Sequence, residues 1–263
     1  MKQLPTKLIL KPRQTEILTL LYRFRFLNRL QIQTLLNHKS KSRILTWLNE
    51  LITEQYIKQY FDKQIAASIS VYSLGPMGRK YLKQNADTLK INLALLDRIR
   101  REKSLSLTFR NHCLFLADIY LSLIQLTVKT KAKLHLYTAT DLSVIEDFIK
   151  PSPDLYFAIV EANGSTKRFF LDVLNDGAPK VMRSRVRRYV NYFKSDEWQS
   201  NTDKPFPEII LVCPNDRLKH HLFFYIQKQL IDEPDMNFYL STRDQIKFKG
   251  VCIDVLQKVT EEE

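Results

Sequence analysis

The residues His38-Lys39-Ser40-Lys41-Ser42-Arg43-Ile44-Leu45-Thr46-Trp47-Leu48-Asn49-Glu50-Leu51-Ile52-Thr53 constrain the fold of this chain more than any other stretch. At helical spacing, Ile44, Leu45, Leu48, Leu51 and Ile52 fall on one apolar stripe, and Lys39, Ser42, Arg43, Thr46, Asn49 and Thr53 fall on the opposite face. A face of Lys, Arg, Ser, Thr and Asn can donate to phosphates and reach base edges. The same pattern also describes an ordinary helix with a solvated side. The flanking segments decide between the two.

Upstream, Pro12 suits a first helical turn, and Ile17, Leu18, Leu21 and Phe24 mark the buried face of a helix ending near Arg25. Asn28 with Gln31 three residues on reads as a capping box for a second helix, with Leu30, Leu35 and Leu36 as its buried residues. Asn37 and His38 turn the chain into the opening helix, residues 39 to 54. Downstream, Tyr56–Phe61 and Ser68–Leu74 are β-rich runs around the polar Asp62-Lys63-Gln64 and read as a hairpin. Gly75-Pro76 then opens a short helix. Helix, helix, cationic helix, hairpin and exit helix form a winged helix-turn-helix over residues 8–84. In that arrangement Arg43, Thr46 and Asn49 are placed to reach base edges, Lys39, Lys41 and Ser42 to anchor phosphates, and Lys58 and Lys63 to act from the wing.

The charge distribution agrees. Residues 1–90 hold 16 Lys and Arg against 5 Asp and Glu, whereas residues 104–263 hold 21 of each. A basic module joined to a neutral one is the footprint of a nucleic-acid-binding protein. A membrane surface would attract the same sign, but these cations sit on short segments rather than on one long amphipathic helix. Residues 85–103, ending in Arg98, Arg100, Arg101 and Lys103, read as a basic linker. No apolar run comes near the roughly 20 residues of a membrane helix, and the N-terminus opens no signal peptide. Cys113, Cys213 and Cys252 are widely spaced, without the pairing of a disulfide framework or a zinc site. The expectation is a cytoplasmic protein with no membrane partner. The five glycines form no phosphate-cradling loop, which argues against P-loop and dinucleotide chemistry.

The second half, residues 104–258, reads as a long apolar helix from Thr108 to Lys129, three strands (Lys133–Tyr137, Asp154–Val160, Arg168–Leu174), and a helix from Pro179 to Ser195. The strand Glu208–Cys213, a helix Asp216–Leu230 and a final strand Asn237–Leu240 follow. Asn163-Gly164 marks a hairpin turn. In the Pro179 helix, Val181, Met182, Val186, Tyr189, Val190 and Phe193 face inward. The fold class is therefore α+β: a winged helix followed by a mixed α/β domain with helices on the faces of its sheet.

Taken together, Pro12-Arg13-Gln14, Tyr22-Arg23-Phe24-Arg25-Phe26-Leu27, Tyr72-Ser73-Leu74 with Gly78, and His112 with Ala117-Asp118 resemble the bacterial replication-relaxation family. Pro153-Asp154, Phe170-Leu171-Asp172-Val173 and Arg188-Tyr189 with Tyr192 extend the resemblance into the second half. It implies a DNA-binding protein of a plasmid or other mobile element, acting in replication control or transcription regulation on double-stranded DNA. A separate alternative is an interaction scaffold, in which the neutral C-terminal domain docks a replication protein or dimerises as a homodimer.

The second domain is also similar in outline to the restriction-endonuclease-like fold, in which Pro-Asp and a nearby (Asp/Glu)-x-Lys hold a divalent metal. That resemblance implies an alternative, a Mg²⁺-dependent nuclease or nicking enzyme with Asp154 and Asp172 as metal ligands and catalytic carboxylates. A hairpin register pairing 154 with 172 places both on one face, and a register pairing 154 with 173 separates them. The usual lysine is missing. Leu174 occupies its position, and only Lys180 or Arg183 of the following helix could stand in. The simpler alternative makes Asp154 a strand-start residue and Asp172 the partner of a helix-borne Arg, with no cofactor and no enzyme. His220-His221 are adjacent and make a poor metal pair.

Overall fold

The fold comes from a computed structural model, which describes residues 10–61, 69–101, 106–145 and 148–260. The chain divides into two compact units, Met1–Ala117 and Asp118–Glu263.

The first unit runs α1 (Pro12–Phe24), β1 (Leu27–Asn28), α2 (Arg29–Leu35), α3 (Lys41–Thr53), β2 (Ile57–Tyr60), β3 (Val71–Leu74), α4 (Pro76–Gln84), α5 (Ala86–Leu89) and α6 (Leu93–Arg101), then the first turns of α7 (Leu107–Thr130). β1, β3 and β2 form a three-stranded antiparallel sheet in that order. This is a winged helix. Two-residue β1 was not legible, because Leu27-Asn28 is too short to show alternation and reads as the cap of α2. The cap is real: Asn28 Oδ1 accepts from Gln31 N at 2.9 Å, and Gln31 Oε1 accepts from Asn28 N at 3.0 Å. Two expectations for burial are corrected, those for Leu30 and for Leu35, which is only half-buried. Leu30 is 48% exposed, and Ile32 with Leu36 carries the buried side of α2. Leu30 follows the cap and faces away from the core, whereas Ile32 and Leu36 lie four apart on one side.

The exit from the wing needs glycine for space. A Cβ on Gly75 would strike the Gln55 carbonyl oxygen, and one on Gly78 the Tyr56 carbonyl oxygen. The backbone is drawn in by Gly75 N donating to Tyr56 O at 2.7 Å and Met77 N donating to Gln55 O at 3.1 Å. α4 is thereby laid on the chain leaving α3. The segment read as a linker carries α5 and α6; Ile91 and Leu96 are buried, and the Tyr22 hydroxyl accepts from Asn92 N at 3.0 Å.

α7 corrects the expectation about apolar runs: by length and composition it could cross a membrane. Its extent matches the helix read over Thr108–Lys129; isolated polar residues such as Asn111, His112 and Asp118 break its apolar stretches in the sequence. Its protein contacts are specific. The Leu114 carbonyl accepts from the buried Gln31 amide at 2.9 Å, Arg110 lies over the Tyr60 ring at 5.3 Å, and Ser122 Oγ accepts from Val251 N at 3.2 Å.

The second unit continues with β4 (Lys133–Thr138), α8 (Ala139–Leu142), β5 (Leu155–Val160), β6 (Thr166–Val173), α9 (Pro179–Lys194), α10 (Glu197–Thr202), β7 (Glu208–Cys213), α11 (Asp216–Leu230), β8 (Phe238–Thr242), α12 (Arg243–Lys249) and β9 (Gln257–Val259). The strands form one six-stranded sheet in chain order. β4, β5 and β6 are an antiparallel meander, β7 and β8 add in parallel, and β9 closes the edge antiparallel, so β8 is not the final strand. α9 and α11 are the crossovers that parallel pairing requires. They cover one face with a core of Phe170, Ile209, Leu211, Leu240, Met182, Val186 and Tyr189. Val181 is exposed, contrary to expectation, and Tyr192 is buried in the α9 stripe.

Candidate nucleic-acid interface

Ser40 caps α3, accepting from Arg43 N at 3.3 Å, so Lys39 sits in the turn before the helix rather than on it. Ile44, Trp47, Leu48 and Leu51 are buried, and Lys39, Lys41, Ser42, Arg43, Thr46 and Asn49 are all exposed. Trp47 was missed in the apolar stripe; it packs edge-on against His38 at 5.0 Å. The hydroxyl of Thr46 donates to Ser42 O at 3.0 Å, an i to i−4 bond that leaves its methyl and oxygen on the surface. Lys58 is exposed on β2. Lys63 lies outside the described residues.

The residue that sequence reasoning passed over is Glu50, the one carboxylate in α3. Its Oε2 accepts from the buried Gln14 amide at 2.6 Å and lies 3.4 Å from Lys11 Nζ. The acid is tied to the start of α1. No carboxylate remains among the exposed side chains of α3, which carry Lys41 and Arg43 beside the helix's positive N-terminal end.

The acidic pair of the second unit has a different character. Leu155 pairs with Leu171, so the β5–β6 register places Asp154 opposite Asp172, on the face covered by α9. The two are brought together. Asp172 Oδ1 accepts from Asp154 N at 3.2 Å, and Asp154 Oδ2 accepts from Val173 N at 2.8 Å. Asp172, 1% exposed, then receives Arg188 Nη2 at 2.6 Å and the Tyr189 hydroxyl at 2.9 Å, with Arg185 Nη1 3.5 Å away. Arg188 also donates to the Pro151 carbonyl at 2.6 Å. Burial and the neighbouring Asp154 push the Asp172 carboxyl above its ordinary value, opposed by Arg188, Arg185 and Tyr189. Burial and Asp172 push the Tyr189 phenol up as well.

A divalent cation does not fit these residues. The carboxylate oxygens of Asp172 already face two guanidinium groups, a phenol and a backbone N–H, and like charge would repel a metal there. Leu174, where a lysine is usual, is buried. Lys180 is exposed in the first turn of α9, and Arg183 donates to His221 Nε2 at 2.8 Å and lies over the Tyr225 ring.

The family-wide sequence pattern described as Replication-relaxation matches residues 18–209 of this chain. The chain belongs to the replication-relaxation family. The match takes in most of the winged helix, the acidic pair and the Arg188-Tyr189 lock, and it ends inside β7. Within the matched span, Gly78 serves close backbone packing and Asp172 is a buried counter-ion. No curated protein matches the chain. Among solved structures, it is similar to the adhesin competence repressor AdcR of Streptococcus pyogenes, at 16% identity and a TM-score of 0.28, covering 46% of this chain and 83% of that one. A variant of ZitR from Lactococcus lactis gives the same identity and TM-score over 49% and 82%. These likenesses are too slight to carry an argument, and the winged helix rests on element order and strand pairing.

Proposed function

We propose that this replication-relaxation protein binds double-stranded DNA in a sequence-dependent way, inserting α3 into the major groove, and that it acts in replication control or transcription regulation of a plasmid or other mobile element. The observation that carries this reading is the α3 surface: Lys41, Ser42, Arg43, Thr46 and Asn49 are exposed together, while Glu50 is drawn off to Gln14 and Lys11. Such a surface meets phosphates without self-repulsion and offers Arg and Asn to base edges. Arg43, Thr46 and Asn49 are assigned to bases. Lys39, Lys41 and Ser42 are assigned to phosphates, and Lys58 and Lys63 to the backbone beside the wing.

A gel-shift series tests the assignment. Arg43→Ala should cost on the order of 1–3 kcal/mol on the preferred sequence and relax specificity, whereas Lys39→Ala should weaken all sequences alike and flatten the salt slope by about one. Unchanged affinity and salt dependence in both variants would remove α3 from the interface. The acidic pair supports no nuclease reading, because its counter-ions are arginines of the same chain.

A further inference from the structure

The sheet face opposite α9 and α11 is only partly covered. Between it, the last turns of α7 and the residues around 251–256 lies a cavity of ≈ 650 Å³, within the second unit. Leu126, Phe157, Ile159, Phe169, Ile210 and Val251 form its walls. This volume falls inside the roughly 300–1,000 Å³ range of small-molecule sites, which are mostly apolar with a few polar groups at the edge. We propose that this cavity binds a largely apolar small molecule that carries no anionic group.

The polar groups of the lining decide the charge of the ligand. Lys167 Nζ is 3.0 Å from Glu161 Oε1, so these two neutralise each other. Glu208 adds a carboxylate to the lining and, after burial, pushes the neighbouring Tyr239 phenol up. A carboxylate on the ligand would find Lys167 already paired and would face Glu208, and burying it without a partner of opposite charge is costly. The apolar walls favour a flat or compact hydrocarbon body. Cys252, partly exposed while Cys113 and Cys213 are buried, also lines the cavity and reports on its occupancy.

Two probes with one ring system separate the possibilities: N-phenyl-1-naphthylamine, which is neutral, and its sulfonated analogue 8-anilinonaphthalene-1-sulfonate. With the full chain, the neutral probe should saturate at one equivalent, bind about tenfold or more tighter than the sulfonate, and slow alkylation of Cys252 by iodoacetamide. Ile159→Trp, which fills the cavity from a strand position, should abolish this binding while thermal unfolding remains cooperative. Should Ile159→Trp fail to fold, protection of Cys252 in the wild-type chain still decides. Non-saturable binding, equal affinity for the sulfonate, or no protection of Cys252 would overturn the proposal. So would a concentration-dependent dimer that closes the cavity to the probe. None of these outcomes bears on DNA binding by α3.

Discussion

Positions 49 and 50 are neighbours in sequence with opposite duties. Asn49 is exposed on the polar face of α3, and Glu50 turns away to the Gln14 amide. A carboxylate at 49 would face phosphates, so Asn49→Glu should weaken DNA binding by roughly tenfold or more and alter its salt dependence. Glu50→Gln should leave affinity unchanged and lower the melting temperature instead, because the buried Gln14 loses a charged acceptor. Quantitative binding curves beside thermal melts distinguish the two effects. The buried thiol of Cys213 can be tested by pH. Burial pushes its thiol up to about 12 from an ordinary 9.0. The unfolded chain therefore releases this proton first, and the thiol's contribution to stability is lost as pH rises from about 9 towards 12. At pH 9, iodoacetamide should modify Cys213 only at the rate of unfolding; fast modification of the folded protein would contradict its burial.

Single elements are held by few, identifiable contacts. Arg188 and Tyr189 of α9 converge on one carboxylate at the end of β6, so Asp172 fastens the crossover helix to the meander. Asp172→Ala leaves Arg188, 11% exposed, without its counter-ion, and should destabilise the protein by about 3–5 kcal/mol in denaturant titration. Combining it with Arg188→Met should recover part of that loss, and millimolar Mg²⁺ should not shift the wild-type melting temperature. A Mg²⁺-dependent shift lost in Asp172→Ala would restore the metal reading. At the wing exit, Gly78→Ala should cost more than about 1 kcal/mol, since the added carbon meets backbone that cannot rotate away.

Capping residues, the hairpin turn at Asn163-Gly164 and the crossover helices could be read in the sequence, because each depends on local chemistry. The facing of Asp154 and Asp172 could not, because register depends on where β5 and β6 begin pairing. Nor could the fate of Glu50, whose partner Gln14 is 36 residues away and reached only through the packing of α1 against α3.

For the molecule as a whole, the sequence places its charge excess in the first 90 residues, with the remainder after residue 103 balanced. The winged helix occupies that basic segment, and a six-stranded sheet with an internally neutralised acidic pair occupies the balanced one. Binding driven by the first segment should therefore weaken steeply with salt, with a slope near −0.9 for each phosphate neutralised. The decisive measurement is selection of bound sequences from random double-stranded DNA, run in parallel with the full chain and with its Arg43→Ala variant. The expected result is an enriched motif for the wild-type chain and loss of preference at one base position in the variant. No enriched motif, or the same motif from both proteins, would contradict recognition through α3.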